Sequence, residues 1–183
     1  MPHPAAVLTT ERTLLAPFTL ADADELLHVF RDPHVRRWLL DDVLVPEAWM
    51  HDEIRASDRR FARSGTGLWS VRLTADGTIA GFVGFREPNG AAEPSLLYGL
   101  LPAHWGKGLA LEITTRVCNH VFGELGHARI GAATDLPNTA SSTLLRRLGM
   151  RHVATTGDGV AGTALFAIDR DEWLAAHPCT PAT

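Results

Sequence analysis

One short segment constrains this chain of 183 residues more than any other part of it. The segment reads Leu100-Leu101-Pro102-Ala103-His104-Trp105-Gly106-Lys107-Gly108-Leu109-Ala110. An apolar strand ends at the proline, and two glycines separated by one lysine then open a long helical pattern. Glycines allow a tight turn and a close approach to a ligand, and a helix N-terminus presents unpaired N–H groups with a partial positive charge. The segment therefore predicts an anion-binding loop built from main-chain amides.

Two better-known glycine motifs do not match this segment. A Walker A loop requires a serine or threonine after its lysine, whereas Gly108 follows Lys107. A dinucleotide-binding fingerprint requires a third glycine at the position of Leu111. For an isolated G-x-G, an ordinary turn into a helix is the preferred interpretation. A ligand site therefore needs support from a second motif elsewhere in the chain.

Hydrophobic periodicity divides the chain into helices and strands in a definite order. Helical patterns cover residues 19–30, 46–65, 109–125 and 139–148, and alternating patterns cover 68–73, 79–85, 95–101, 128–134, 150–155 and 163–168. Asp32-Pro33 is expected to stop the first helix, and Asp76-Gly77 predicts a hairpin turn. Two helices and a run of strands precede the strand–helix alternation, so we predict an α/β domain with a mixed sheet.

Three blocks of this sequence resemble one known family. Residues 105–112 are similar to the acyl-CoA pyrophosphate loop of the GNAT acetyltransferase superfamily, in the W-G-K-G-x-A-x-E form of its ribosomal-protein N-acetyltransferase (RimJ/RimL-like) branch. Residues 138–141 and 147–150 resemble that branch's N-x-x-S segment and its following [KR]-x-G-[FM] segment, and residues 11–18 resemble its R-L-x-L-R-P-x opening. The blocks stand in family order, so the resemblance extends over residues 10–168.

The resemblance implies a fold and a domain organisation. We expect a mixed, mostly antiparallel sheet flanked by helices and splayed between its fourth and fifth strands, with the pantetheine arm of the ligand paired in the gap like an extra strand. Residues 98–101 would belong to the fourth strand. We expect one N-acetyltransferase domain over residues 1–183, with flexible ends at about 1–9 and 177–183.

The resemblance also implies the ligand and the residues that bind it. Acetyl-CoA would be the acyl donor, held by Leu100, Leu101, Trp105, Gly106, Lys107, Gly108, Leu109, Ala110, Asn138 and Ser141. The amides of residues 105–110 would bind the pyrophosphate. The catalytic residues would be Ser141, which matches a serine proposed to protonate the departing thiolate, with Asn138 and Tyr98.

Two of these positions also have simpler interpretations. Asn138 has the spacing of a helix N-cap, and both roles can hold together because an N-cap at a cleft points its side chain at the ligand. Trp105 fits a core aromatic that covers the loop, which we expect rather than stacking on adenine. Arg146 and Arg147 are expected to be solvated charges near a helix end rather than phosphate ligands.

The sequence leaves the general base open. Many relatives carry a glutamate early in the fourth strand, where this chain has Ser95, with Glu93 two residues earlier. Glu93, Asp135 and a water held by Tyr98 or Asn138 are the candidates. Deprotonating a lysine at pH 7 costs roughly 4.6 kcal/mol, against about 1 kcal/mol for an α-amino group. A site without a strong base therefore favours a low-pKa amine, such as a protein N-terminus or a small amine. The alternative function is a catalytically weak acyl-CoA-binding or regulatory module.

Composition limits the partners and the compartment. The 17 Lys and Arg against 21 Asp and Glu give a formal net charge of −4, so we expect no nucleic-acid partner. Cys118 and Cys179 lack C-x-x-C spacing and no H-E-x-x-H occurs, so neither a disulfide framework nor a metal site is expected. No apolar run approaches ~20 residues and no leader pattern is present, which predicts a cytoplasmic protein without a membrane partner. The sequence is compatible with a homodimer and does not determine the oligomeric state.

Overall fold

An eight-stranded sheet organises the computed structural model, which describes residues 5–87, 93–157, 159 and 162–177. The strands are β1 (Leu8–Thr9), β2 (Thr13–Pro17), β3 (Leu68–Leu73), β4 (Ile79–Arg86), β5 (Ser95–Leu100), β6 (Arg129–Asp135), β7 (Arg151–Thr156) and β8 (Thr163–Asp169). The helices are α1 (Ala23–Arg31), α2 (Pro33–Leu39), α3 (Glu47–Ser64), α4 (Leu109–Asn119), α5 (Thr139–Arg147) and α6 (Arg170–Ala176). The strand order is β1-β2-β3-β4-β5-β6-β8-β7.

The sheet is antiparallel except at one pair of strands. β5 and β6 run parallel and are joined only through Ser95 opposite Gly131 and Leu96 opposite Ala132, although both strands continue for several residues. This confirms the predicted mixed, mostly antiparallel sheet and its splay. β1 adds a strand at the start of the chain, so the gap predicted between the fourth and fifth strands lies between β5 and β6.

Hydrophobic layers cover both faces of the sheet. Leu96 and Leu100 of β5 belong to the core under α4, and Tyr98 packs against that core. Leu97 and the following Leu101 turn the other way and pack against the core formed with α1, α2 and α3. This alternation follows from the two-residue repeat of a strand. A gap in the sheet therefore opens toward α4 and α5 on one face and toward α2 on the other.

Proline at position 33 begins a helix as well as ending one. The Asp32 carboxylate accepts the amides of His34 and Val35 at 2.9 and 3.3 Å and caps α2, where a proline is tolerated because its missing N–H would have no partner. The predicted stop is correct for α1, but the helix that follows was not foreseen. α6 was not predicted from the sequence either.

The chain ends and the long helix differ from expectation. Leu8 is buried and pairs with Leu15, so residues 8 and 9 are held in the sheet, while 1–4 and 178–183, with Cys179, lie outside the described residues. The helix predicted over 109–125 ends at Asn119 and continues as a π-helical turn, His120–Glu124. Cys118 is buried. Among the described helices, none combines the length and apolar character needed to cross a bilayer.

Candidate functional site

A cleft of about 450 Å³ opens where β5 and β6 separate. Its walls come from these two strands, from α2, from the loop before α4 and from the first turns of α4 and α5. Nine of the eleven residues singled out in the sequence line it: Tyr98, Leu100, Trp105, Gly106, Gly108, Leu109, Ala110, Asn138 and Ser141. The fold therefore brings together two blocks that are thirty residues apart in the chain.

The loop before α4 presents main-chain amides to the cleft. Gly106 and Gly108 have φ angles of 68° and 75°, in the left-handed region that side chains with a Cβ rarely adopt. Within the part of the chain that the structure describes, no backbone acceptor takes the amides of residues 106–111. A Cβ on Gly106 would meet nothing within 4 Å. Consecutive free amides at a helix N-terminus form a site for a phosphate-sized anion.

Lys107 and Leu101 are the two predicted residues that do not line the cleft. The Lys107 ammonium folds back and donates to the carbonyl of Ala103 at 2.8 Å. Leu101 donates its amide to Ala80 on β4 at 2.9 Å, and its side chain packs toward α1 and α3. The structure thus places both side chains away from the anion-binding loop.

Arg12 ties the loop to the start of the sheet. Its Nη1 donates to the carbonyl of Lys107 at 2.9 Å, while its Nε and its backbone amide donate to Glu112 at 2.7 and 3.1 Å. Burial opposes ionisation of Glu112, but hydrogen bonds from Thr10 and Arg12 hold the pKa of this carboxyl below its usual value. The Arg12 guanidinium also lies close to Gly108, since Arg12 Nη2 would be 3.9 Å from a Cβ at that position. Arg12 therefore places a positive charge beside the loop and fixes its position.

Trp105 is not the core aromatic that we expected. The side chain is 48% exposed, its indole N–H donates to the carbonyl of Leu100 at 2.7 Å, and its ring meets the edge of His34 from α2 at 5.8 Å. The tryptophan thus links the end of β5 to α2 across one mouth of the cleft. Arg147 is exposed, as expected for a solvated charge, and it also lines the cleft.

Tyr98, Ser141 and Asn138 line the cleft and are linked to one another by hydrogen bonds. The Tyr98 hydroxyl lies 2.5 Å from Ser141 Oγ, and Asn138 Oδ1 accepts the amide of Ser141 at 3.1 Å. The N-cap interpretation of Asn138 is confirmed. Burial raises the pKa of Tyr98 to about 12, although the bond to Ser141 opposes the rise. Tyr98 is therefore protonated at neutral pH, and the two hydroxyls form a proton-carrying pair.

Backbone groups of β5 also face the gap. Leu101 bonds to β4, so the two-residue alternation turns the backbone N–H and C=O of Tyr98 and Leu100 away from β4 and toward β6. The carbonyl of Leu100 is taken by Trp105. Since no residue of β6 is paired with Tyr98, its backbone groups are open to an extended ligand.

The carboxylates proposed as general base lie in different places. Glu93 is 3.4 Å from Arg129 Nε, beside Gly131, where β5 and β6 are still paired. Asp135 lies at the other end of β6, beyond the point at which the strands separate. Burial, and to a lesser degree the charge of Asp41, raises the pKa of the Asp135 carboxyl. Asp135 therefore lies closer along the strand to the open part of the gap.

Sequence reasoning missed several features of the cleft. α2 contributes Val35 and Leu39 to its wall, and Thr134 of β6 lines it with a hydroxyl that has no partner among the described residues. An Asp-Pro pair followed by Val35, Trp38 and Leu39, which are spaced three and four residues apart, could have indicated α2. Arg12 lay in a recognised block, but its partners are about a hundred residues away, so local patterns carry no signal for its role.

Comparisons with known proteins agree with this geometry. A family model described as an acetyltransferase (GNAT) domain matches residues 12–151. An N-acetyltransferase of Bacillus licheniformis, p20, itself uncharacterised, is 29% identical over 147 residues, covering 79% of this chain and 82% of the relative. The solved GNAT-family acetyltransferase of Bacillus anthracis is similar with a TM-score of 0.76 at 20% identity, covering 91% of this chain and 99% of that one. The ribosomal-protein-S5-alanine acetyltransferase of Vibrio fischeri has a TM-score of 0.76 at 18% identity, over 92% and 98% of the two chains.

Proposed function

Because the chain belongs to the GNAT acetyltransferase domain family and is an N-acetyltransferase that takes its acyl group from acetyl-CoA, we propose that its acceptor is a primary amine of low pKa. A protein N-terminus fits this description, and so does a small amine whose pKa is similarly low. The anion-binding loop at one end of the gap and the Tyr98–Ser141 pair inside it support the donor site and the transfer step. The acceptor class rests on the carboxylates around the gap.

The residues of the loop have the chemistry that the donor requires. The amides of Gly106, Gly108 and Ala110 would bind the pyrophosphate, and Arg12 would add positive charge beside them. The exposed backbone of Tyr98 would pair with the pantetheine arm. Acetyl-CoA supplies an activated acyl thioester, which is why the protein needs no nucleophile of its own for direct transfer to an amine.

The hydroxyl pair in the gap is suited to act as the general acid. Ser141 would donate a proton to the thiolate that leaves, and Tyr98 would replace that proton through their 2.5 Å hydrogen bond. The proton that the amine loses as it is acylated would restore the pair. The backbone N–H of Tyr98 faces the same space and would stabilise negative charge on the carbonyl oxygen during transfer. Asn138 holds the first turn of α5, and so keeps Ser141 at the gap.

Asp135 is the carboxylate best placed to receive the acceptor. It lies beyond the separation of β5 and β6, whereas Glu93 is engaged by Arg129 before that point. A carboxylate attracts a cationic amine, and the neighbouring charge of Asp41 adds to that attraction. Removing the proton of a lysine at pH 7, however, costs roughly 4.6 kcal/mol whichever group receives it. An α-amino group, which loses its proton at about 1 kcal/mol, needs much less help.

The proposal is tested by comparing acceptors that differ only in the position of the amine. One peptide has a free N-terminus and no lysine, and its partner has an acetylated N-terminus and one lysine. The difference in pKa predicts a kcat/KM for the first peptide that is higher by about 100-fold or more. Release of the CoA thiol gives the rate. Equal rates, or a preference for the lysine peptide, would contradict the proposed acceptor class.

The neighbouring structure from Vibrio fischeri supports a protein N-terminus within that class. It is named as an acetyltransferase of an alanine of a ribosomal protein, and the three sequence blocks of this chain resemble the same branch.

We also propose a single catalytic domain, because the two hydrophobic cores pack on opposite faces of one sheet.

The Arg12 contacts predict a selective effect on donor binding. Replacing Arg12 with glutamine removes the guanidinium contacts to Lys107 and Glu112, and we expect the Kd of CoA to rise about fivefold to tenfold. Lysine at this position should restore only part of the affinity, since an ammonium cannot span both acceptors. Calorimetry measures the Kd. Arg55, an exposed arginine paired with Asp52 on α3, supplies the control Arg55→Gln, which should leave CoA affinity unchanged. An unchanged Kd in Arg12→Gln would show that the loop keeps its shape without this residue.

A further inference from the structure

Thr134 carries a polar group that the free protein does not use. The residue is 7% exposed, and its hydroxyl has no hydrogen-bond partner among the residues that the structure describes. An unpartnered hydroxyl in a buried position is unfavourable, and such groups are uncommon in folded proteins. Thr134 also lines the cleft. A ligand that enters the cleft can supply the missing partner.

The sheet places this hydroxyl at the level of the reactive pair. The parallel register joins Ser95 to Gly131 and Leu96 to Ala132, and the same offset brings Tyr98 level with Thr134 across the gap. Both side chains point to one face of the sheet, because Leu96 and Ala132, two residues before them, lie in the same core under α4. The Thr134 hydroxyl and the Tyr98–Ser141 pair therefore border the gap from its two sides.

We propose that the Thr134 hydroxyl is a binding group for the pantetheine arm of the acyl donor, next to the thiol end. This inference rests on the proposed use of the gap for the donor. The arm carries amide groups that can both donate and accept hydrogen bonds, and a hydroxyl can serve either. Tyr98 would bind the arm through its backbone on the β5 side, and Thr134 through its side chain on the β6 side. Together they set the depth at which the thioester lies.

The test compares Thr134→Val with Thr134→Ser. Valine keeps the shape of threonine and removes the hydroxyl, so the free protein should melt about 2–4 °C higher, while the Kd of CoA and of acetyl-CoA should rise about tenfold. Serine keeps the hydroxyl and should bind CoA as the wild type does. A stabilised free protein with weakened binding is the result that a purely structural threonine cannot produce.

Adenosine 3′,5′-bisphosphate separates the arm from the nucleotide. This compound lacks pantetheine, so Thr134→Val should bind it with the wild-type Kd. If valine leaves the Kd of CoA unchanged, a water molecule satisfies the hydroxyl and the assignment is wrong. If only acetyl-CoA binding is weakened, the contact is to the acyl carbonyl, which also overturns the assignment to the arm. Failure of the wild-type protein to bind CoA would instead refute the proposed donor site.

Discussion

Gly108→Val is expected to weaken CoA binding by about 100-fold. Gly108 has a φ of 75° at the N-cap of α4, and a β-branched residue in that region costs roughly 1–3 kcal/mol. If the loop relaxes to relieve the strain, its amides no longer converge on one anion. If it does not, the new side chain occupies the open space beside the amides, where only Arg12 lies within 4 Å. Both outcomes remove affinity, which calorimetry with CoA would measure.

A second glycine of the same chain provides the matched control. Gly126 has a φ of 71° and nothing within 4 Å of a built Cβ, so Gly126→Val carries similar strain away from the loop. We expect both variants to lose stability, but only the substitution at Gly108 to lose CoA affinity. Equal affinities in Gly108→Val and wild type would show that the loop does not bind the ligand.

Ser141→Ala is expected to lower kcat by about 100-fold or more and to leave the Kd of CoA within about twofold. A general acid acts chiefly in the transition state, where such groups contribute roughly 10²–10⁴-fold. The helix cap persists in the variant, because Asn138 binds the backbone amide of residue 141. Steady-state rates and calorimetry separate the two effects. Parallel losses of rate and affinity would instead assign Ser141 to ligand binding.

Ser142 and Tyr98 make this experiment more specific. Ser142, the next residue of α5, lines a different pocket with Arg146 and His152, so Ser142→Ala should change neither rate nor affinity. Tyr98→Phe should lower kcat, and its effect should not add to that of Ser141→Ala, because the two hydroxyls share one hydrogen bond. The pKa of Tyr98, about 12, lies above the working range. Below that pKa the pair keeps its proton, so raising the pH from 7 to 10 should not remove general-acid catalysis.

The extent to which the sequence predicted the site depended on the range of each interaction. The loop around Gly106 and Gly108 was predicted, because φ preference and helix-terminus chemistry are local properties. The cap by Asn138 was predicted for the same reason. Trp105 was assigned to the core incorrectly, since its surroundings are set by the packing of the loop beside His34 of α2, a helix that was not predicted. The helix after residue 109 was predicted too long at its end, where a π-helical turn replaces the regular pattern.

The interactions that complete the site join distant parts of the chain. Arg12 binds Glu112, Tyr98 binds Ser141, and Thr134 comes level with Tyr98 only because β5 and β6 pair in a particular register. No local pattern records such a register, which is set by how both faces of the sheet pack. The negative net charge illustrates the same limit, since a sum over the chain does not record that Arg12 comes to lie beside the free amides of one loop.

The amino-acid sequence by itself determined the α/β class, the mixed sheet and the anion-binding loop, because periodicity, glycine geometry and helix ends act over a few residues. Its resemblance to a family added the identity of the donor. Only the tertiary structure decided which hydroxyls meet in the gap and which charge supports the loop. Those relations arise when the β5–β6 pairing stops after two residue pairs and α2, α4 and α5 pack around the opening.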